Sequence, residues 1–128
     1  MLQKGDRIPE HDFLLRRVYA DDKRYVKPDG TLSSRAFAPR PKDEGKLSVD
    51  VERLTTYDRA IKDEKKFFLY RVRAIIVYDN ALDCTFDPHP PEDPTNDAHA
   101  LITGFPADDE SKPAILAKQA ARVAYPFS

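Results

Sequence analysis

The side chains best suited to chemistry in this sequence are arginines, serines and one histidine, and the first pair is Arg16 and Arg17. Neighbouring residues of an extended strand point to opposite faces, so only one of these two would lie on an inner face. A guanidinium group on an inner strand is well suited to bind phosphate or carboxylate. We therefore predict Arg16 and Arg17 as ligand-binding residues. A structural ion pair at a strand end would account for them equally simply.

A second candidate segment, Ser33-Ser34-Arg35, follows a turn at Lys27-Pro28-Asp29-Gly30. Proline at the second position and glycine at the fourth are typical of such a turn. Two hydroxyl groups and a guanidinium group in succession can hold phosphate oxygens, so Ser33, Ser34 and Arg35 are also predicted as ligand-binding residues. Serines after a turn also bond to their own backbone, which is the alternative interpretation.

Ser48 and His99 are the candidate catalytic residues. Ser48 and Asp50 share one face of an alternating segment, where a hydroxyl and a carboxylate could line a pocket or form a solvated sheet face. His99 lies among apolar residues on a predicted strand. A neutral imidazole there could act as a general base or donate a lone pair to a ligand. The alternative is a half-buried histidine whose hydrogen bonds are satisfied within the fold.

The charge along the chain is segregated, although the net charge is only −1. Residues 79–111 contain nine acidic residues and no Lys or Arg, whereas residues 16–46 contain nine basic against five acidic residues. Such a chain can hold anions on one surface and cations, or its own basic face, on another. We predict a protein partner or a small anionic ligand. The near-neutral total argues against a dedicated nucleic-acid-binding protein.

Several other kinds of site are not expected. His89 lies among acidic residues of a proline-rich stretch without a recognised ligand spacing, so no metal site is predicted. Four glycines do not make a phosphate-binding loop, and the single Cys84 makes neither a zinc cluster nor an internal disulfide. The lone cysteine and the absence of a secretory signal predict a cytoplasmic protein. The longest apolar runs are far shorter than the roughly 20 residues of a membrane span.

The strands and helices that the sequence predicts would position these residues in an α+β domain, with a small, mostly antiparallel sheet and two or three helices. A length of 128 residues fits one domain, residues 1–128. Residues 1–11 are expected to be a loose lead-in, and residues 88–97 a proline-rich acidic loop. Strands are predicted over 12–19, 46–51, 67–74, 84–87 and 97–104. Helices are predicted over 52–61 with Asp50 as the cap, over 75–82, and over 114–124 after an N-cap at Ser111.

Four segments occur in an order that resembles a set of small bacterial proteins of unassigned function. They are Leu14-Leu15-Arg16-Arg17, Ser33-Ser34-Arg35-Ala36-Phe37, Leu47-Ser48-Val49-Asp50 and His99-Ala100-x-x-x-Gly104. This resemblance spans the chain from Leu14 to the final helix and implies a stand-alone module. A looser likeness is to ADP-ribosyltransferase-like folds, which implies Arg16 or Arg17 on the first strand and Ser33 or Ser48 as a second site residue. The paired-glutamate motif of such transferases is absent here.

Two functions follow as hypotheses. The first is a small cytoplasmic binding or accessory module that recognises an anionic group on a partner or small ligand and uses no cofactor. The alternative is an enzyme that uses NAD or another nucleotide, with Arg16 or Arg17 on its phosphates and Ser48 or His99 near the reacting centre. The enzyme requires a pocket where those side chains converge. The sequence leaves the oligomeric state open.

Overall fold

Six strands form one antiparallel sheet within residues 1–107 and 109–124, which the structure, a computed structural model, describes. Three α-helices and short 3-10 helices accompany the sheet in the same residues, so the predicted α+β class is confirmed. The strands are β1 Phe13–Tyr19, β2 Leu47–Val51, β3 Phe67–Arg73, β4 Asp83–Phe86, β5 His99–Thr103 and β6 Ala121–Arg122. The helices are α1 Tyr57–Ile61, α2 Ala74–Asp79 and α3 Ser111–Gln119, with 3-10 helices at Ser34–Phe37, Pro41–Asp43 and Glu52–Leu54. Across the sheet the order is β4-β5-β2-β1-β3-β6.

The two faces of the sheet are covered unequally. Alternate residues of the strands, such as Leu14 and Val72, pack with α2, α3 and the 3-10 helix Ser34–Phe37 in the main core. Period-two alternation along β3 places every second side chain on this face. The other face carries a smaller cluster, in which Leu15 and Leu69 pack against α1. It is this second face, only partly covered, that leaves space for a site.

The first predicted helix is shorter than expected. Residues 52–61 divide into the 3-10 helix Glu52–Leu54 and the α-helix Tyr57–Ile61. The predicted cap at Asp50 is wrong, because Asp50 lies within β2. Instead the Thr56 hydroxyl oxygen accepts from the backbone N–H of Arg59, and this bond starts α1. Asp50 is thereby free of a capping role.

The last predicted helix also differs. Helix α3 begins at Ser111 itself, whose N–H and hydroxyl both donate to Asp109, so the predicted N-cap at Ser111 is wrong. The helix ends at Gln119 instead of running to residue 124. The backbone then becomes β6 along the edge of β3, where the Val123 N–H donates to the Leu69 carbonyl over 2.8 Å. Covering an open strand edge here outweighs the helix propensity of the alanines.

The N-terminal residues do not form a loose lead-in. The Gly5 and Ile8 N–H groups donate to the Phe86 and Cys84 carbonyls over 2.8 and 3.0 Å, and Ile8 is 0% exposed. Arg7 forms an isolated bridge with Thr85. The polar composition of residues 1–11 predicted a loose segment. The buried side chain of Ile8 instead anchors this mostly exposed segment along the outer edge of β4.

Truncation of Ile8 tests whether the N-terminal segment belongs to the core. Ile8→Ala should lower the free energy of unfolding by about 2–5 kcal/mol, the usual range for a buried isoleucine. The matched control is Ile115→Ala, because Ile115 lies on α3 with 39% of its surface exposed. That control should change stability by about 0.5 kcal/mol or less. Urea denaturation of the three proteins measures both values, and equal effects would contradict the assigned packing.

Candidate functional site

The site forms where strands β1 and β2 stop pairing. Their ladder contains two residue pairs, Leu14 with Val51 and Leu15 with Asp50, and the strands then separate. The Arg16 side chain bridges the opening: its Nε donates to the Ala36 carbonyl over 2.7 Å, and its Nη1 to the Ser48 carbonyl over 3.0 Å. Arg16 thus satisfies a carbonyl that lies beyond the last β1–β2 pair.

A cavity of about 250 Å³ lies at this opening, and we call it the strand-gap cavity. Side chains of β1, β2 and β5 line it, together with Lys62 after α1 and part of the acidic loop of residues 88–97. Its lining residues are Leu15, Arg16, Arg17, Arg40, Asp43, Leu47, Ser48, Val49, Asp50, Lys62, Glu92, Asp93, Asn96 and His99. The lining is mainly polar, which suits a charged guest better than an apolar one.

Arg16 and Arg17 point to opposite faces of the sheet, as predicted, yet both line the strand-gap cavity. The Arg17 Nη1 donates to the Ala60 carbonyl in α1 over 3.2 Å, and its guanidinium group lies 5.0 Å from the centre of the Phe67 ring. Both arginines reach the cavity because the strands have separated. Among the described residues, neither guanidinium group has a carboxylate oxygen within 4 Å. Their hydrogen bonds go to neutral carbonyls.

The absence of a counter-ion at Arg16 has an electrostatic consequence. Burial lowers the pKa of Arg16 to about 10, because little solvent remains to stabilise the positive charge. An arginine with such a pKa is still charged at neutral pH. The cavity therefore contains a partly desolvated cation whose charge an anion would compensate.

His99 occupies the opposite side of the cavity and is only 4% exposed. Its Nδ1 lies 2.8 Å from the Asp87 carbonyl oxygen and 3.1 Å from the Asp87 carboxylate Oδ2. A carbonyl can only accept, so Nδ1 carries a proton and donates to it. Within the described part of the chain, Nε2 is buried without a hydrogen-bond partner. His99 is thus satisfied at one ring nitrogen among the described residues, and its proposed catalytic role stays a prediction.

Asp50 lies directly between these groups in the sheet. It is in register with Leu15 of β1 on one side and with His99 of β5 on the other. Its Oδ1 accepts from the Asn96 side-chain amide over 2.7 Å. Burial raises the pKa of the Asp50 carboxyl, against the opposing effects of the Asn96 hydrogen bond and the Arg17 charge. Asp50 is thus a carboxylate that lacks full compensation.

The acidic loop is anchored beside the cavity by α1 and by Lys62. The Lys62 Nζ donates to Asp93 Oδ2 over 3.0 Å, and Arg59 lies 3.8 Å from Asp97. Burial opposes ionisation of Asp93, but the hydrogen bonds from Lys62 and Asn96 outweigh it and lower its pKa. Lys62 follows α1 with a φ of 64°, a conformation that ordinarily favours glycine, so a lysine here is retained at a conformational cost.

The remaining predicted ligand residues lie elsewhere. The Ser33 side chain accepts from the Arg35 N–H over 3.2 Å and caps the 3-10 helix, which is the local bonding proposed as the alternative. Ser33 and Ser34 line a separate cavity of about 660 Å³ beside α3 and β3, and Arg35 is exposed. Ser48 does line the strand-gap cavity, but its hydroxyl does not bond to His99, whose Nε2 has no partner in the described chain. The structure therefore brings together Arg16, Arg17, Ser48 and His99 and leaves Ser33 to Arg35 outside.

Sequence reasoning left out several residues that shape the site. Asp87 and Asn96 lie in segments read as a brief strand and a solvated loop, and Lys62 lies in a charge run. Asp50 alone had a signal, since it shares a strand face with Ser48. The others carry none, because their roles depend on contacts between segments distant in sequence.

Comparison of the chain with protein-family models, curated proteins and solved structures gives no match. Residues 1–107 and 109–124 contain no group of three or more His, Cys, Asp or Glu side chains placed to hold a metal ion. Over the same residues, every helix is too short or too polar to cross a bilayer. The site must therefore be interpreted from its own chemistry.

Replacement of Asp50 by asparagine tests the electrostatics of the site. Because burial raises the pKa of Asp50 above its ordinary value of 3.8, folding favours the protonated form. The stability that protonation gives is present below the unfolded pKa and is lost as pH rises through the folded pKa. Asp50→Asn should therefore be more stable than the parent protein at neutral pH, with a difference that shrinks on acidification. Urea denaturation across this pH range measures it.

Asp93→Asn provides the matched control, because the pKa shift of Asp93 has the opposite sign. Its stabilising effect is present above the unfolded pKa and is lost as pH falls through the folded pKa. Asp93→Asn should therefore be less stable than the parent protein at neutral pH. A loss of stability in Asp50→Asn at neutral pH would show that its charge is well compensated.

Proposed function

We propose that this protein is a small cytoplasmic binding module that recognises an anionic group, on a partner or on a small ligand, in the strand-gap cavity. Arg16 and Arg17 bind the anion. The observation that carries the proposal is that both guanidinium groups line one cavity while donating only to carbonyls, with no carboxylate within 4 Å among the described residues. The resemblance to small bacterial proteins stays a prediction.

The size of the cavity supports a small guest. Its volume of about 250 Å³ lies below the range of roughly 300–1,000 Å³ that drug-sized ligands occupy. A phosphate, a sulfate or a small carboxylate fits such a volume, whereas a dinucleotide would have to extend outside it. The size therefore favours recognition of an anionic group over enclosure of a complete cofactor.

The alternative function, an enzyme that uses NAD or another nucleotide, is favoured by one observation. His99 Nδ1 bonds to the Asp87 carbonyl and lies 3.1 Å from the Asp87 carboxylate, which is how a carboxylate orients a general base. Ser48 lines the same cavity and does not bond to Nε2 of His99, which is buried without a partner among the described residues. Incubation with NAD and with nucleoside triphosphates, followed by chromatography of the products, tests this alternative. Turnover abolished by His99→Gln would establish it in place of the binding module.

Removal of the Arg17 charge tests the proposed binding. Calorimetric titration with phosphate, sulfate, acetate and succinate should reveal at least one anion that binds the parent protein. Arg17→Gln should weaken that binding roughly ten- to hundredfold, because hydrogen bonds to a charged group contribute about 1.5–3 kcal/mol. Arg17 is chosen because Arg16 also bridges two backbone carbonyls, so its loss would disturb the fold.

Arg24→Gln is the control for this titration. Arg24 is exposed and pairs with Asp22 over 2.7 Å, outside the strand-gap cavity. Its replacement should leave the anion affinity within about twofold, since exposed charges are screened by solvent and salt. If both variants weaken binding equally, the anion responds to the general surface charge and the cavity has no special role.

A further inference from the structure

The strand-gap cavity contains as many acidic as basic side chains, which is unusual for a site that would bind a simple anion. Four basic residues and four acidic residues line it. Arg40 pairs with Asp43 over 3.1 Å, and Lys62 with Asp93 over 3.0 Å. Within each pair the two charges compensate each other, and the two pairs form the rim of the cavity. What remains is the two guanidinium groups of β1, the Asp50 carboxylate on β2 and the exposed Glu92 in the acidic loop.

The acidic part of the cavity is centred on Asp50, which lies opposite His99 of β5. No cationic nitrogen lies within 4 Å of Asp50 among the described residues, and its Oδ1 accepts a hydrogen bond from the neutral amide of Asn96. The more distant charge of Arg17 does not outweigh burial, which raises the pKa of the Asp50 carboxyl.

The arginines lack a negative partner and Asp50 lacks a positive one, so one guest that carries both charges could serve both. A phosphate or a simple carboxylate would compensate the arginines but would be repelled by Asp50. A simple amine would compensate Asp50 but would be repelled by the arginines. A guest with both charges within a few ångströms satisfies both sides.

We propose that the guest is a small zwitterion of the α-amino-acid type, with its carboxylate on Arg16 and Arg17 and its ammonium group on Asp50. This inference rests on the proposed function and specifies the ligand class of that site. The volume of about 250 Å³ corresponds to roughly eight water molecules at about 30 Å³ each, which suits a single amino acid. The raised pKa of Asp50 and the lowered pKa of Arg16 agree with it, because a zwitterion would reverse both shifts.

The test is calorimetric titration of the protein with the twenty common L-amino acids. For each one that binds, its desamino acid and its decarboxylated amine are titrated as matched analogues that lack one charge. We expect at least one amino acid to bind tenfold or more tightly than both of its analogues. A desamino acid that binds as tightly as its parent overturns the zwitterion and leaves the anion site standing. If no amino acid, carboxylate or phosphate binds, both proposals fail.

Two variants separate the charges within the same titration. Asp50→Asn keeps an acceptor for Asn96, and it should weaken amino-acid binding at least tenfold while leaving desamino-acid binding unchanged or tighter. Arg17→Gln should weaken both ligands. If Asp50→Asn weakens the amino acid and the desamino acid equally, the residue acts through the shape of the cavity and the inference is overturned. Circular dichroism and urea denaturation of each variant confirm that it is folded before titration.

Discussion

The early end of the β1–β2 ladder is the constraint on which the rest of this structure depends. After the Leu15–Asp50 pair the strands separate, and the Ser48 carbonyl would lack a donor from β1. Arg16 supplies that donor and bonds to the Ala36 carbonyl as well, which ties the sheet to the 3-10 helix above it. The same side chain therefore stabilises the fold and lines the opening.

The opening has an energetic cost that the rest of the molecule must offset. Arg16 and Asp50 are both partly desolvated, and their pKa values move in opposite directions, each toward the neutral form. A direct ion pair would relieve both, yet no such pair forms at this site in the described residues. Elsewhere on the protein charges are paired, as between Asp12 and Arg53 over 2.8 Å. Partly buried charge without an ion-pair partner, gathered in a cavity, is typical of a functional site.

The sequence predicted what depends on local pattern and missed what depends on distant contacts. Alternation in β2 placed Ser48 and Asp50 on one face, and adjacency placed Arg16 and Arg17 on opposite sides of β1. Both arginines nevertheless line one cavity, because the β1–β2 ladder is short. The length of that ladder depends on contacts between residues far apart in the chain. The same reason explains the shortened α3, since the Leu69 carbonyl, some fifty residues earlier, draws Val123 into an extended conformation. Ser33 caps its 3-10 helix by accepting from the Arg35 N–H, which is the local backbone bonding that the alternative interpretation of this segment predicted.

The placement of the charged groups gives the cavity its direction. The guanidinium groups of Arg16 and Arg17 belong to β1, whereas the Asp50 carboxylate lies on β2, opposite His99 of β5. His99 is fixed there because its Nδ1 donates to the Asp87 carbonyl. A symmetrical anion would use only half of this arrangement. A guest with a positive and a negative end would bind in one orientation, since the reverse places like charges together on both sides.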